Sequence, residues 1–338
     1  MGPGHLEQAV IVVDGRVLGG AATGIQRVAR GLLDAVPQLE HRVLAPRGTS
    51  DPRVDRVLPV AHPRLWEQVV LPAAAGTRTV LSLANTAPLL ARRSAVFVHD
   101  LAPLREPAWF VPRMRFYARA VASAARRAEL VLVPSAAVAA ELADVLGVHG
   151  AVVVRPAVTG APSSPAEVDR VRAGLRLDRP YAVLVGWGDR RKDVATALAA
   201  HRLVRDRVPH DLVLVGDAHP NLAPVPRPAD ATVRVVGRLP DADLAAVLTG
   251  AEVLLHPSVY EGFGLPPLEA WAHGTPALVA DVPAVREATY DLAPVLPVGD
   301  VAAWADALEA ALLTRLPVPS PVAWGWRDAG AVLVTALG

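Results

Sequence analysis

The feature that most constrains this chain is a rhythm. Short aliphatic and β-branched runs alternate with longer amphipathic stretches almost from end to end. Val10–Asp14 reads as a strand, followed by a Gly-rich turn, Gly19–Gly24. Ile25, Val28, Ala29, Leu32, Leu33 and Val36 then fall on one face of a helix. Strands are expected at Thr79–Leu83, Ala95–Val98, Leu130–Val133 and Ala151–Val154, with helices over 113–127 and 136–146. Ala157–Pro165, rich in Pro, Gly and Ser and without an apolar period, reads as a linker. The rhythm then restarts with strands at Tyr181–Val185, Leu212–Val215, Val233–Val236, Val253–Leu255 and Ala277–Val279. Helices are expected near 193–205, 241–249, 265–273 and 301–314. The βαβ alternation implies parallel sheets covered by helices on both faces. The fold class is therefore α/β, with two doubly wound halves, each large enough in a 338-residue chain to bury a core. In that architecture a ligand is expected in the cleft facing the carboxyl ends of the strands.

Composition removes several functions. With Cys 0 there is no disulfide framework, thiolate nucleophile or cysteine-ligated metal. A net charge of +1 offers no broad electrostatic reason to hold a nucleic acid. The first apolar run, Ala9–Val13, is too short for a signal-peptide core, and later runs break well before the ~20 residues of a spanning helix. The expectation is a cytoplasmic protein. One count stands out: Lys+Arg is 34, yet Lys192 is the single lysine, which leaves 33 arginines.

His256–Pro276 (HPSVYEGFGLPPLEAWAHGTP) holds the most chemistry. A strand ends near Leu255, a loop carries Glu261-Gly262-Phe263-Gly264, and Leu265-Pro266-Pro267 opens a helix that Gly274 and Pro276 close. Free N–H groups in that first helical turn suit an anion, and the glycines let a phosphate approach. Gly264 to Glu269 is about 7.5 Å of helix rise, on the order of a diphosphate. Two carboxylates so spaced suit hydroxyls at opposite ends of a sugar nucleotide; separately, Glu261 is a loop residue and Glu269 a charge favouring the helix dipole.

EGFGLPPLE followed by AWAHGTP resembles the signature of retaining GT-B glycosyltransferases of glycosyltransferase family 4. TGIQRV (Thr23–Val28), LWEQ (Leu65–Gln68), NTAP (Asn85–Pro88), HDLAP (His99–Pro103) and VGRLPD (Val236–Asp241) occur in that family's order. The resemblance implies the GT-B fold, two facing Rossmann-like domains with an interdomain cleft. It implies an acceptor-side domain over residues 1–160, a nucleotide-sugar-binding domain over 161–319, and a terminal segment, about 320–338, returning to the first. By the same resemblance Glu261 contacts the transferred sugar and Glu269 the nucleotide ribose. Phe263, Gly264 and Leu265 line the nucleotide-sugar site, and Gly24 lets the first domain approach the donor phosphate.

Gly186–Asp193 (GWGDRRKD) follows a strand and resembles the family's phosphate-binding segment, with Arg191 and Lys192 as the basic pair. Breaking a glycosyl–phosphate bond builds charge on the leaving diphosphate, and cations here stabilise it. The chain departs from the family in carrying Trp187 where many members place arginine. His99-Asp100 ends a strand of the first half, and the resemblance makes His99 a hydrogen-bonding partner of the reacting sugar, catalytic without being a nucleophile.

Other signals carry less. Asp241-Ala242-Asp243 has the form of a metal-binding Asp-x-Asp, but after Pro240 it reads as helix capping. No histidine spacing suits zinc, and Gly186-Trp187-Gly188 lacks the third glycine of a dinucleotide fingerprint. No metal or other cofactor is expected. Arg113–Arg127, with Met114, Phe116 and Tyr117 among its arginines, leaves two readings open, a solvated helix face or a peripheral contact with an anionic membrane. The function implied is metal-independent, retaining transfer of a hexose, mannose-like by resemblance, from a nucleoside-diphosphate sugar. The acceptor would be a glycan, a lipid-linked sugar or a natural product. The alternatives are a sugar-nucleotide epimerase or hydrolase and a catalytically idle carbohydrate-binding subunit, for which Trp187 is the main support.

Overall fold

The computed structural model describes residues 11–20, 23–218, 220–319 and 324–338. Val10, Ala21, Ala22 and Val322, which belong to the first strand, the Gly-rich turn and the terminal segment of the sequence reading, lie outside the described residues. The chain divides into two compact units. One comprises the described residues up to Leu104, Arg115–Ala157 and Trp324–Gly338; the other comprises Arg105–Met114 and the described residues from Val158 to Pro319. Relative to a domain boundary at 160, Arg105–Met114 changes sides.

The first unit holds seven strands: β1 (Ile11–Asp14), β2 (His41–Pro46), β3 (Arg56–Leu58), β4 (Thr79–Ser82), β5 (Arg93–Phe97), β6 (Leu130–Val133) and β7 (Val152–Val153). Their order is β3-β2-β1-β4-β5-β6-β7, parallel throughout. The second unit holds β8 (Tyr181–Val185), β9 (Asp211–Val215), β10 (Val233–Gly237), β11 (Val253–His256), β12 (Ala277–Ala280) and β13 (Val295–Leu296). They run β10-β9-β8-β11-β12-β13, again parallel. Both orders contain the 3-2-1-4-5-6 arrangement of a doubly wound sheet. Chain direction reverses beside β1 in one unit and beside β8 in the other, which fixes where loops splay apart at the carboxyl ends.

The centres of the sheets are aliphatic and dry. Val12, Val13, Val80, Leu81, Val96 and Phe97 are buried in the first, and Val183, Leu184, Val213, Leu214, Leu254 and Val279 in the second. Several element ends differ by a residue or two from the sequence reading, and two of them have a clear cause. Ala95–Val98 is observed as Arg93–Phe97, because Arg93 pairs with Thr79 before the apolar run begins. The linker ends one residue early: Pro165 is the first residue of helix Pro165–Leu175, where Ser164 and Glu167 form a capping box.

Helix Trp326–Leu337 belongs to the first unit and packs on helix Gly24–Ala35. Glycines permit the approach. A Cβ on Gly31 would stand 2.4 Å from the Trp326 ring, and one on Gly330 would stand 2.7 Å from the Ala35 carbonyl oxygen.

Candidate active site

In the second unit the reversal lies between β8 and β11, so the loops after these two strands face each other across the sheet's carboxyl edge. The loop after β8 bears Asp189, Arg191 and Lys192; the loop after β11 bears Ser258 and Glu261. Gly186, at φ +87°, begins the first turn. A Cβ on Gly188 would stand 2.3 Å from the Asp217 carbonyl oxygen, so only glycine lets the loops after β8 and β9 lie so close.

Topology thus brings together two residues that lie 69 positions apart in sequence. The Lys192 ammonium is ion-paired with Glu261 Oε1. The same oxygen accepts the Ser258 hydroxyl at 2.8 Å and lies 3.1 Å from His256 Nε2. Burial by itself would raise the Glu261 carboxyl, but Lys192, the His256 hydrogen bond and the nearby Arg191 outweigh it and hold the group well below its usual range. At His256 burial prevails instead: it pushes the pKa down despite Glu261, so a neutral imidazole donates Nε2–H to a carboxylate. Arg191 is tethered too. Its guanidinium binds Asp189 through Nε at 2.9 Å and through one terminal nitrogen at 2.7 Å, and the Phe110 ring lies 6.0 Å from its central carbon. Phe110 belongs to Arg105–Met114, which this unit holds through Val111 N–H to the Asn221 carbonyl (3.1 Å) and Ala223 N–H to the Trp109 carbonyl (2.8 Å).

Gly264 caps helix Leu265–Ala272 in the left-handed region, at φ +109°. Phe263 is buried, Leu265 opens the helix half-buried, and Glu269 stands half-buried five residues in. The helix after Lys192 is different: Asp193 caps it with its own carboxylate, accepting Thr196 N–H at 3.3 Å. An anion at this loop therefore meets side-chain cations ahead of helix amides. Trp187 is not part of the polar surface. It is packed in the core, and its indole N–H donates to the Gly216 carbonyl at 2.6 Å.

In the first unit His99 follows β5, buried, with its ring 4.6 Å from that of Phe97. Its backbone N–H donates to Asn85 Oδ1 at 2.6 Å, and Nε2 lies 2.9 Å from the Leu83 carbonyl oxygen. Burial pushes its pKa down, more than Leu83 and Asp100 restore it. Gly24 is the exposed first residue of its helix, where Thr23 N–H donates to Gln26 Oε1 at 3.1 Å, a capping arrangement. His99 and Glu261 lie on different units. Asp241 and Asp243 stand in the first turn of helix Asp241–Thr249, and Asp243 pairs with Arg170 at 2.7 Å.

Residues that sequence reasoning did not single out are His256, Ser258, Asp189 and Phe110. His256 had a usable signal, a polar residue ending an aliphatic strand, the same one that marks His99. Asp189 and Phe110 had none, since their part depends on contacts with Arg191.

Residues 179–314 match the family profile described as "Glycosyl transferases group 1". The O-antigen chain mannosyltransferase B of Escherichia coli is 33% identical over 177 residues, which are 49% of this chain and 44% of that protein. The match thus spans less than half of that relative's length. Among solved structures, WaaG, a glycosyltransferase involved in lipopolysaccharide biosynthesis, has a TM-score of 0.66 at 15% identity, over 97% of this chain and 94% of its own. HepE of Anabaena, in complex with UDP and glucose, has a TM-score of 0.63 at 14% identity, over 97% and 95%. At these identities the likeness is one of fold, and the fold is GT-B.

Proposed function

This chain belongs, through its second domain, to the glycosyl transferases group 1 family, and from that premise we propose that it transfers a hexose from a nucleoside-diphosphate sugar to a hydroxyl acceptor. The observation that carries the reading is the Lys192–Glu261 pair at the reversal of the second sheet, with Arg191 beside it. A diphosphate placed there competes with Glu261 for the lysine ammonium, and the released carboxylate accepts hydroxyls of the transferred sugar. Glu269 takes the ribose hydroxyls, with Phe263, Gly264 and Leu265 closing around the nucleotide. His99 hydrogen-bonds the reacting sugar, and Gly24 is read as a donor-phosphate contact.

The reaction exchanges one bond to the anomeric carbon for another. The bond to the diphosphate oxygen breaks, the acceptor oxygen attaches on the same face, and its proton passes to a diphosphate oxygen. That route is retaining and needs neither a side-chain nucleophile nor a metal, because cationic side chains meet the leaving charge. A mannose-like hexose is supported by the Escherichia coli relative, a mannosyltransferase. The acceptor is a glycan, a lipid-linked sugar or a natural product.

No helix among the described residues is long and apolar enough to cross a membrane. Helix Met114–Arg127 carries Arg115, Arg119, Arg126 and Arg127, exposes Phe116 and has no acidic residue, which supports a peripheral contact with an anionic membrane face. Trp187, the main support for the idle-subunit alternative, packs in the core with its indole N–H on the Gly216 carbonyl, so the phosphate contacts of this loop rest on Arg191 and Lys192.

Thermal shift with GDP, UDP, dTDP and ADP tests the donor site. The correct nucleotide at about 100-fold excess over its Kd adds ~2.7 kcal/mol of stability. If none of the four stabilises the protein, the donor reading fails. Labelled GDP-mannose converted without any acceptor points instead to a hydrolase or epimerase.

A further inference from the structure

The first unit has its own reversal, beside β1, and a polar network fills it. Asp14 ends β1, and Arg16 follows in the next turn. Glu67 lies in a π-helical stretch, Trp66–Val70, a form that often marks function. Asn85 and Thr86 lie in the loop after β4, and Tyr117 on helix Met114–Arg127. Arg16 donates to Glu67 at 2.8 Å and to Thr86 at 3.2 Å, and lies 3.4 Å from Asp14. The Thr86 hydroxyl donates to Glu67, and the Trp66 indole donates to Asp14 at 2.8 Å. Buried ion pairs are a poor means of stabilising a fold, so their convergence on one loop calls for another reason.

That loop supplies the hydrogen-bond partners of His99 found among the described residues. Asn85 Oδ1 accepts the His99 backbone N–H at 2.6 Å, and the Asn85 side chain also faces the Tyr117 hydroxyl, whose pKa burial pushes up to about 12 while Asn85 lowers it. Thr86, its neighbour, is tied into the Arg16–Glu67 pair. The Leu83 carbonyl, two residues before Asn85, lies 2.9 Å from His99 Nε2. A carbonyl oxygen only accepts, so Nε2 carries the proton and Nδ1 presents a lone pair. Nδ1 has no hydrogen-bond partner among the described residues.

We propose that Asn85, braced by Tyr117 and by the Arg16–Glu67–Thr86 network, is a positioning residue that fixes His99 as a one-directional acceptor, Nδ1 toward a sugar hydroxyl. The sugar contact rests on the reading of His99 given above; the fixing of the imidazole does not. One consequence is selectivity. A sugar bearing a hydroxyl at that point donates to Nδ1, whereas its deoxy or deoxyfluoro analogue has no proton to offer and leaves the nitrogen unpaired.

The test separates the two parts. In the full chain with nitrogen-15-labelled histidine, long-range proton–nitrogen spectra report the tautomer of His99, assigned through His99→Gln. The wild-type protein is expected to show the Nε2–H form alone, and Asn85→Ala a mixture of tautomers. Tyr117→Phe, which removes only a hydroxyl, is expected to show a smaller change in the same direction and serves if Asn85→Ala does not fold. A wild-type Nδ1–H form, or unchanged spectra in both variants, would overturn the proposal. With GDP-mannose as donor, Asn85→Ala should lower kcat about 10-fold with donor KM within 2-fold. It should lower kcat no further in a His99→Ala background; additive losses would count against positioning. Full activity in His99→Ala would sink the sugar contact while leaving the spectroscopic result to decide the role of Asn85.

Discussion

At Glu261, burial and charge pull in opposite directions, and charge prevails because Lys192 and the His256 hydrogen bond, with Arg191 nearby, outweigh burial; Ser258 donates to the same oxygen as Lys192. Removing Lys192 therefore does two things. It deletes a cation facing the leaving diphosphate, a loss of ~3–4 kcal/mol in the transition state, or roughly 10²–10³-fold in kcat. It also strands a carboxylate that is 12% exposed, and breaking such a pair costs about 3 kcal/mol of stability. Lys192→Met is thus expected to lower both kcat and the urea midpoint, and adding Glu261→Gln should recover the midpoint without recovering activity. An unchanged midpoint in Lys192→Met would mean that the pair is not formed in solution. The identities of these two residues were legible in the sequence, one as the sole lysine and the other in the EGFG loop. Their pairing was not, because 69 positions separate them and only the β8–β11 reversal joins them. The pairing of Arg191 with Asp189, only two positions away, was hidden for another reason: it depends on the turn geometry at Gly186–Lys192.

Elements were legible where one force dominated. Leu130–Val133 and Tyr181–Val185 are interior strands, apolar on both faces, and their limits are those read from the sequence. His41–Pro46, Arg56–Leu58 and Val295–Leu296 escaped notice. The first mixes polar residues and ends in proline, and the other two are short strands at sheet edges, where half the surface is not apolar. The helical stretch at Pro63–Ala75 was hidden by Pro63 and Pro72, which the structure accommodates in first turns. Glycines show how far an element's context decides a residue's worth. At Gly264, φ is +109° and a Cβ would stand 3.2 Å from Val285, so Gly264→Ala strains the start of helix Leu265–Ala272. We expect a loss of ~1–2 kcal/mol and a raised donor KM. Gly174 lies exposed within helix Pro165–Leu175 with nothing within 4 Å of a Cβ, so Gly174→Ala should stabilise by about 0.5–1 kcal/mol. Opposite signs in thermal unfolding support this reading of the two helices; equal signs contradict it.

On the scale of the whole molecule, stability should follow buried histidines in both units. His99 lies in the first, and His201, His210 and His256 in the second. Burial pushes each below its ordinary value of 6.5. The Nδ1 atoms of His201 and His210 are buried without a partner among the described residues, which leaves little to welcome a proton. As pH falls through about 6.5 the unfolded chain takes up protons that the folded chain refuses, so stability must fall. Each tenfold difference in proton affinity at one histidine is worth ~1.4 kcal/mol. Two carboxyls act at lower pH and with opposite signs. Glu261, held low, contributes stability that is complete above about 4.5 and disappears only as pH falls through its depressed value. Asp14, raised by burial, favours the folded state increasingly as pH falls through its elevated value. Between pH 6.5 and 5 the histidines act together, and the urea midpoint followed by tryptophan fluorescence should drop steadily. His201→Gln, which cannot charge, should flatten that slope. A midpoint equal at pH 7.5 and pH 5, or a slope unaltered by His201→Gln, would mean that these imidazoles are reached by protons in the folded chain and that the interior around β9 is less dry than its aliphatic packing implies.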